Sequence, residues 1–250
     1  MEAFTLGRLC RSIGATTPSG FGAVTLSGVS TDTRNLEPGS VFFALSGENF
    51  DATGFVSKAF AAGARVVVVP EDGPDFPPGC LVIRVPSVRR ALLDFAASYR
   101  DELGFQVVAI TGSAGKTTTK DLVFHMIQGS LRAVKAPKSF NNDVGVPLTL
   151  LSADRHTEVV VVEIGTNHPG EIAPLAAVAR PDVAVITCIG ASHLEGLGSI
   201  EGVAREKLSM LRHVRPGGAF VLNGDDLRLR GAASALAAVY GRDAVTLAGF

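Results

Sequence analysis

The chain has 250 residues, of which 46% are hydrophobic and 19% charged, with a formal net charge of −1. That composition fits a globular protein with a substantial core in one large or two ordinary domains, and the charge argues against a nucleic-acid-binding surface. No apolar run approaches the ~20 residues needed to cross a bilayer, which excludes a membrane-inserted helix.

Near the start, Arg8 and Arg11 interrupt the only apolar stretch that could act as a leader, so Thr5 to Ala15 reads as an amphipathic helix. Cys10, Cys80 and Cys188 are scattered with no C-x-x-C pair, which suggests a reducing, cytoplasmic setting and offers no zinc site. After the first helix, Ser30-Thr31-Asp32-Thr33-Arg34 leads through the Pro38-Gly39 turn into the apolar strand Val41 to Leu45. By itself the polar cluster reads as turn chemistry, with Asp32 bonding nearby backbone. Gly47 to Phe55 is then a polar loop, Val56 to Ala62 a helix, Arg65 to Val69 a buried strand, Gly73 to Gly79 a surface loop and Cys80 to Val85 a further strand. These elements form a small α/β domain over residues 1–85. A connector helix follows within 86–104, bracketed by Pro86 and Gly104, with Val88, Leu92, Phe95, Ala96 and Tyr99 at helical spacing.

Residues 105–250 alternate strands and helices, the pattern of a doubly wound, mostly parallel sheet. The first strand, from Gln106, runs into Gly112-Ser113-Ala114-Gly115-Lys116-Thr117-Thr118 and then a helix with Leu122, Val123, Met126 and Ile127 on one face. Strand, glycine turn, Lys-Thr and helix together form a phosphate-binding loop. In such a loop Lys116 reaches the β- and γ-phosphates and the Thr117 hydroxyl ligates Mg²⁺. The longer pattern G-x-x-x-x-G-K-[ST] would place a glycine where Ile110 stands, so the loop is the shorter form G-x-x-G-K-T.

Glu158 to Glu163 is a continuous apolar run ending in a carboxylate, Gly170 to Ala179 a helix, Val183 to Ile189 the next buried strand, Ile200 to Arg212 a helix and Ala219 to Leu222 another strand. Glu163, at a strand's carboxyl end, can hold Mg²⁺ or stand solvated in a turn. His193 lies in a glycine-rich turn, where a histidine by itself is ordinary polar surface. Lys207 falls on the inward stripe of Ile200, Val203, Ala204, Leu208 and Leu211, while Arg205 and Glu206 take the outward face. A lysine on that stripe either snorkels outward or has a role inside.

These segments resemble the Mur ligases. The resemblance rests on Ser30-Thr31-Asp32-Thr33-Arg34, the loop Gly112 to Thr117, Phe140-Asn141-Asn142 with Gly145-Val-Pro147, Glu163-Ile-Gly165, His168-Pro-Gly170-Glu-Ile172, Gly190-Ala-Ser-His193 and Val203-Ala-Arg-Glu-Lys207. The Asn-Asn and His-Pro-Gly stretches are closest to the member that joins D-alanyl-D-alanine to UDP-N-acetylmuramoyl-tripeptide. The resemblance implies an ATP-dependent amide ligase of peptidoglycan precursor synthesis that works through an acyl phosphate. It further implies that Lys116, Glu163, His193 and Lys207 are catalytic. The loop Gly112, Ser113, Ala114, Gly115, Lys116, Thr117 and Thr118 would hold ATP. Thr117 and Glu163 would hold one Mg²⁺, with His193 and a carbamylated Lys207 helping to hold a second. Thr31, Asp32 and Arg34 would meet the UDP end of the substrate, and Asn141 and Asn142 would belong to the substrate side of the central domain.

Two features depart from the family. Asp51-Ala-Thr-Gly-Phe55 lacks the Gly-His expected after that aspartate. The chain also stops at Phe250 on what reads as a strand, before the family's C-terminal domain, so a truncated, inactive piece of a monomeric enzyme is expected. Alternatives are a non-catalytic nucleotide- or UDP-sugar-binding chain, another amino-acid-adding Mur ligase and a folylpolyglutamate synthase; the Ser-Thr-Asp-Thr-Arg segment speaks against the last.

Overall fold

A computed structural model describes residues 1–47, 52–77 and 79–248, so the reading of Asp51 lies outside the described residues. The chain divides into two compact units, Met1–Glu102 and Leu103–Phe250.

In the first unit, β1 (Phe4–Thr5) pairs antiparallel with β2 (Thr25–Leu26). Helix α1 (Leu6–Ser12) starts where the Thr5 hydroxyl accepts from the Arg8 amide, a cap that shortens the expected helix at its front. Four parallel strands follow in the order β3 (Val29–Ser30), β4 (Val41–Phe43), β5 (Val66–Pro70) and β6 (Val82–Val85). Ala52–Phe55 forms a 3₁₀ turn leading into α2 (Val56–Ala61), whose Val56 and Ala59 are buried with Phe42, Val67 and Val69. Helix α3 (Val88–Leu103) buries Val88, Ala91, Leu92, Phe95, Ala96 and Tyr99, a three- and four-residue spacing that makes one face. That face packs within this unit: the Phe95 ring lies 4.8 Å from that of Phe4, and the Tyr99 hydroxyl accepts from the Glu2 amide.

In the second unit, β7 (Gln106–Thr111), α4 (Lys116–Ile127), β8 (Ala133–Lys135), α5 (Gly145–Leu151), β9 (Val159–Glu163), α6 (Ile172–Ala179) and β10 (Val183–Ile186) come first. They are followed by α7 (Leu194–Leu197), α8 (Ile200–Leu208), β11 (Ala219–Asn223), α9 (Leu227–Tyr240) and β12 (Val245–Ala248). Among the described residues the sheet order is β12-β11-β10-β7-β9-β8, with every neighbouring pair parallel. The chain leaves β7 toward one side for β8 and β9, then crosses to the other for β10. The strand order therefore reverses at β7, and the crevice beyond its carboxyl end is where such sheets bind ligands. The four valines of β9 are buried, each contributing about 1.5–3 kcal/mol, so the strand that ends in Glu163 is firmly seated.

Several expectations are corrected. Only half of the expected α4 face meets the sheet: Val123 and Ile127 pack on Ile110, Val159 and Val161, whereas Leu122 is 58% and Met126 79% exposed. Residues 122 and 123 point about 100° apart on a helix, so one pair faces the sheet while the other turns away. The strand expected to reach Ile189 ends at Ile186, because Thr187 turns its hydroxyl toward the Ala114 carbonyl. The helix expected to reach Arg212 changes to a 3₁₀ turn at Ser209–His213.

Glu206 does not face outward. It is 8% exposed, and its carboxylate accepts from the amides of Gly170 and Ile172, both at 2.8 Å. It thereby satisfies donors at the start of α6 from a helix remote in sequence. Glu206→Ala is expected to cost about 1.5–3 kcal/mol of stability, since it strands the buried Ile172 amide and removes a second charged bond, to the amide of exposed Gly170. Urea unfolding checks this, and an unchanged midpoint would contradict it.

Candidate active site

The loop between β7 and α4 is built on two glycines. Gly115 has φ +80 and Gly112 φ +152, and a Cβ on Gly112 would run into the Thr187 hydroxyl. The close approach of Thr187 accounts for a glycine at position 112. Thr187 donates to the Ala114 carbonyl, Ser113 Oγ accepts from the Gly190 amide at 2.9 Å, and the Ser113 amide donates to the Cys188 carbonyl at 3.0 Å. The loop is thus strapped to the segment after β10. We expect Gly112→Ala to cost about 1–3 kcal/mol through overpacking, read from the chemical-denaturation midpoint; wild-type stability would contradict this contact.

Helix α4 begins at Gly115 with no side-chain cap, so the amides of its first turn point into the crevice without partners from their own helix. Lys116 Nζ donates to the Gly112 carbonyl at 2.9 Å, arched over the loop. Thr118 is exposed, one residue further on.

Glu163 is 1% exposed at the carboxyl end of β9, where both its oxygens are engaged. The Thr117 hydroxyl donates to one and the Asn141 amide to the other, each at 2.8 Å. Gly165 donates its amide to the Asn141 carbonyl, and a Cβ on Gly165 would crowd the Asn141 side chain. Asn142 turns the other way: its side-chain oxygen accepts from the Gly145 amide at 2.9 Å and starts α5.

Lys207 is buried at 1% exposure on α8, as its place on the stripe suggested, and does not snorkel. Burial first, and then the charge of Lys116, lower its pKa from the ordinary 10.5 to about 8. His193 stands exposed in the left-handed turn that opens α7, at φ +53. Among the described residues no hydrogen bond joins it to Glu163 or Lys207. The structure therefore links Gly112, Lys116, Thr117, Asn141 and Glu163 by hydrogen bonds, places Lys207 within the field of Lys116, and leaves His193 apart.

In the first unit, Asp32 and Arg34 form a local pair. Arg34 Nη2 lies 2.6 Å from Asp32 Oδ2, and the Arg34 amide donates to Oδ1 at 2.9 Å. These bonds hold the Asp32 carboxyl at about 2. The Ser30 hydroxyl donates to the Asp32 carbonyl, while Thr31 is half-buried beside them.

The donor set suits a nucleotide and a hard cation. Uncapped amides, Lys116 and a glycine cradle match phosphate oxygens, and a hydroxyl next to a carboxylate matches Mg²⁺. The sequence assigns no role to Lys120 and Ser139, which lie beside this set in space, and it puts Glu206 on the outward face. Only their contacts in space mark Lys120 and Ser139.

The model of the Mur ligase middle domain matches residues 110–246. The chain is 42% identical over 216 residues to the UDP-N-acetylmuramoyl-tripeptide–D-alanyl-D-alanine ligase of Bacillus subtilis, covering 86% of this chain and 47% of that protein. It is 38% identical over 205 residues to the ligase of the same name from Escherichia coli, covering 81% and 44%. A crystal structure of MurF from Acinetobacter baumannii superposes with a TM-score of 0.84 at 29% identity, covering 100% of this chain and 54% of that one. MurF ligase from Thermotoga maritima in complex with ADP gives a TM-score of 0.76 at 27% identity, covering 89% and 50%. The chain spans about half the length of the curated relatives it matches.

Proposed function

Because this chain belongs to the Mur ligase family, we propose that it supplies the phosphate-binding site and a UDP-sugar-binding unit of an ATP-dependent amide ligase. The reaction is the joining of D-alanyl-D-alanine to UDP-N-acetylmuramoyl-tripeptide in peptidoglycan precursor synthesis. The observation that carries the reading is Glu163, held between Thr117 and Asn141 in front of the uncapped start of α4.

Bound Mg-ATP supplies the phosphoryl group that turns the tripeptide's terminal carboxylate into an acyl phosphate. The dipeptide amine attacks that carbonyl carbon, and inorganic phosphate leaves as the amide forms. The chain's own groups act by position and charge. Lys116 leaves the Gly112 carbonyl for phosphate oxygens and offsets the charge that builds on the transferring group. The uncapped amides at the start of α4, from Lys116 to Thr118, would orient the phosphates. Thr117 and Glu163 would hold one Mg²⁺, and Asn141 keeps the Glu163 carboxylate turned toward it. His193 and Lys207 would serve a second cation, Lys207 as a carbamate. The lowered pKa of Lys207 supports that role, since only the neutral amine adds CO₂, forming an N–C bond and releasing one proton.

Thr31, Asp32 and Arg34 receive the UDP end of the substrate, and Asn142 flanks the peptide end. The enzyme works as a cytoplasmic monomer. Among the described residues no helix is long and apolar enough to cross a membrane.

The test is turnover by the full-length protein with Mg-ATP, UDP-N-acetylmuramoyl-tripeptide and D-alanyl-D-alanine. Phosphate release matched one-to-one by amide product is the expected result. ATP binding without product would leave a nucleotide-binding chain and overturn the ligase reading.

A further inference from the structure

Lys120 lies on α4 just beyond the phosphate loop, and the reaction described above does not use it. Its side chain is buried, at 1% exposure, so its ammonium needs a partner fixed in place. Nζ donates to the main-chain carbonyl of Lys138 at 2.5 Å, with Asp121 Oδ1 3.6 Å away. Lys138 sits at φ +50, a conformation that a residue other than glycine keeps only when its surroundings impose it. A second tie lies three residues earlier, where Lys135 Nζ meets Asp121 Oδ1 at 2.7 Å. Helix α4 thus grips the segment 135–138 at two points.

The segment beyond this grip carries the groups that face the phosphate loop. Ser139 Oγ lies 3.4 Å from Thr117 Oγ1, and the Asn141 amide donates to Glu163. Asn142 then starts α5. We propose that Lys120 is a positioning residue: by fixing the left-handed turn at Lys138 it sets Asn141 against Glu163 and couples the phosphate loop to the substrate-facing loop. It touches none of the reacting groups and acts through Asn141. The proposal rests on the reading of Thr117 and Glu163 as the Mg²⁺ pair.

The test is a double-substitution cycle on Mg-ATP affinity, measured by titration calorimetry in wild type, Lys120→Met, Asn141→Ala and the double variant. Each single change is expected to weaken binding about tenfold, the scale of one hydrogen bond to a charged group. The double variant should bind no more weakly than Asn141→Ala alone, because the two residues act in series. Additive losses, or unchanged affinity in Lys120→Met, would overturn the proposal.

Hydrogen exchange decides independently of nucleotide. Amides of residues 138–142 should exchange about tenfold faster in Lys120→Met, while those of β7 and β9 stay as in wild type. Unchanged exchange in the loop overturns the proposal even if Mg-ATP binds. Wild-type chain that fails to bind Mg-ATP overturns the nucleotide reading instead, and exchange then decides the role of Lys120 alone. Should Lys120→Met not fold, nuclear Overhauser contacts in wild type between the Lys120 ammonium and Lys138–Ser139 take its place. Their presence supports the anchor and their absence refutes it.

Discussion

Lys116→Ala and Thr117→Ala are each expected to weaken Mg-ATP binding by about 10- to 100-fold while the chain stays folded. Both side chains are half-buried and polar, and both bond to groups at the mouth of the crevice rather than to the core. On the proposed reading, removing Lys116 would delete a charge-assisted donor to phosphate, and removing Thr117 would delete an oxygen ligand of Mg²⁺; the latter also frees one oxygen of Glu163. The apolar clusters under the sheet are untouched, so circular dichroism and the unfolding midpoint should move little. Calorimetric titration with Mg-ATP is the measurement. Wild-type affinity in both variants would mean that the glycine turn holds no nucleotide.

A larger effect is expected at Lys207. Lys207→Ala should abolish turnover in the full-length protein, and added short carboxylates should restore part of it by standing where a carbamate would. Carbon-13 bicarbonate should give a carbamate resonance in wild type and none in the variant; full activity without Lys207 would refute the assignment. Lys207 also leaves a signature in stability when CO₂ is excluded. The folded chain holds this proton less tightly than the unfolded chain, with a pKa of about 8 against 10.5. Its burial therefore subtracts from stability below about pH 8, and the loss fades as pH rises toward 10.5. Lys207→Met should gain up to about 3 kcal/mol at neutral pH and less than about 0.5 kcal/mol at pH 10.5.

The parts of this site visible in the sequence are those whose chemistry is local. Gly112 to Thr117 could be read because a strand, two glycines and a Lys-Thr pair lie in one short run. Glu163 could be read because a buried valine strand must end where a parallel sheet binds ligands. Lys207 stood out because its helix had other positions for a charge. Glu206 misled for the same reason in reverse: a carboxylate beside an arginine reads as solvated, and its partners are the amides of Gly170 and Ile172, far away in sequence. Lys120 was silent because its partner is a main-chain carbonyl, which carries no residue identity. Strand β8 has three residues and α5 starts with Gly-Val-Pro, so neither shows a usable period. The exposed Leu122 and Met126 show the limit of periodicity, which marks an apolar stripe without saying how much of it a sheet will cover.

The central claim is that the tripeptide's carboxylate is phosphorylated before the amide forms. Labelling that carboxylate with oxygen-18 and running one round of ligation by the full-length protein tests this directly. Attack of the amine on an acyl phosphate sends one labelled oxygen into the phosphate released, and mass spectrometry of that phosphate is predicted to show it. Product formed with the label absent from phosphate would contradict the account, because the carboxylate oxygen would then have left by another route.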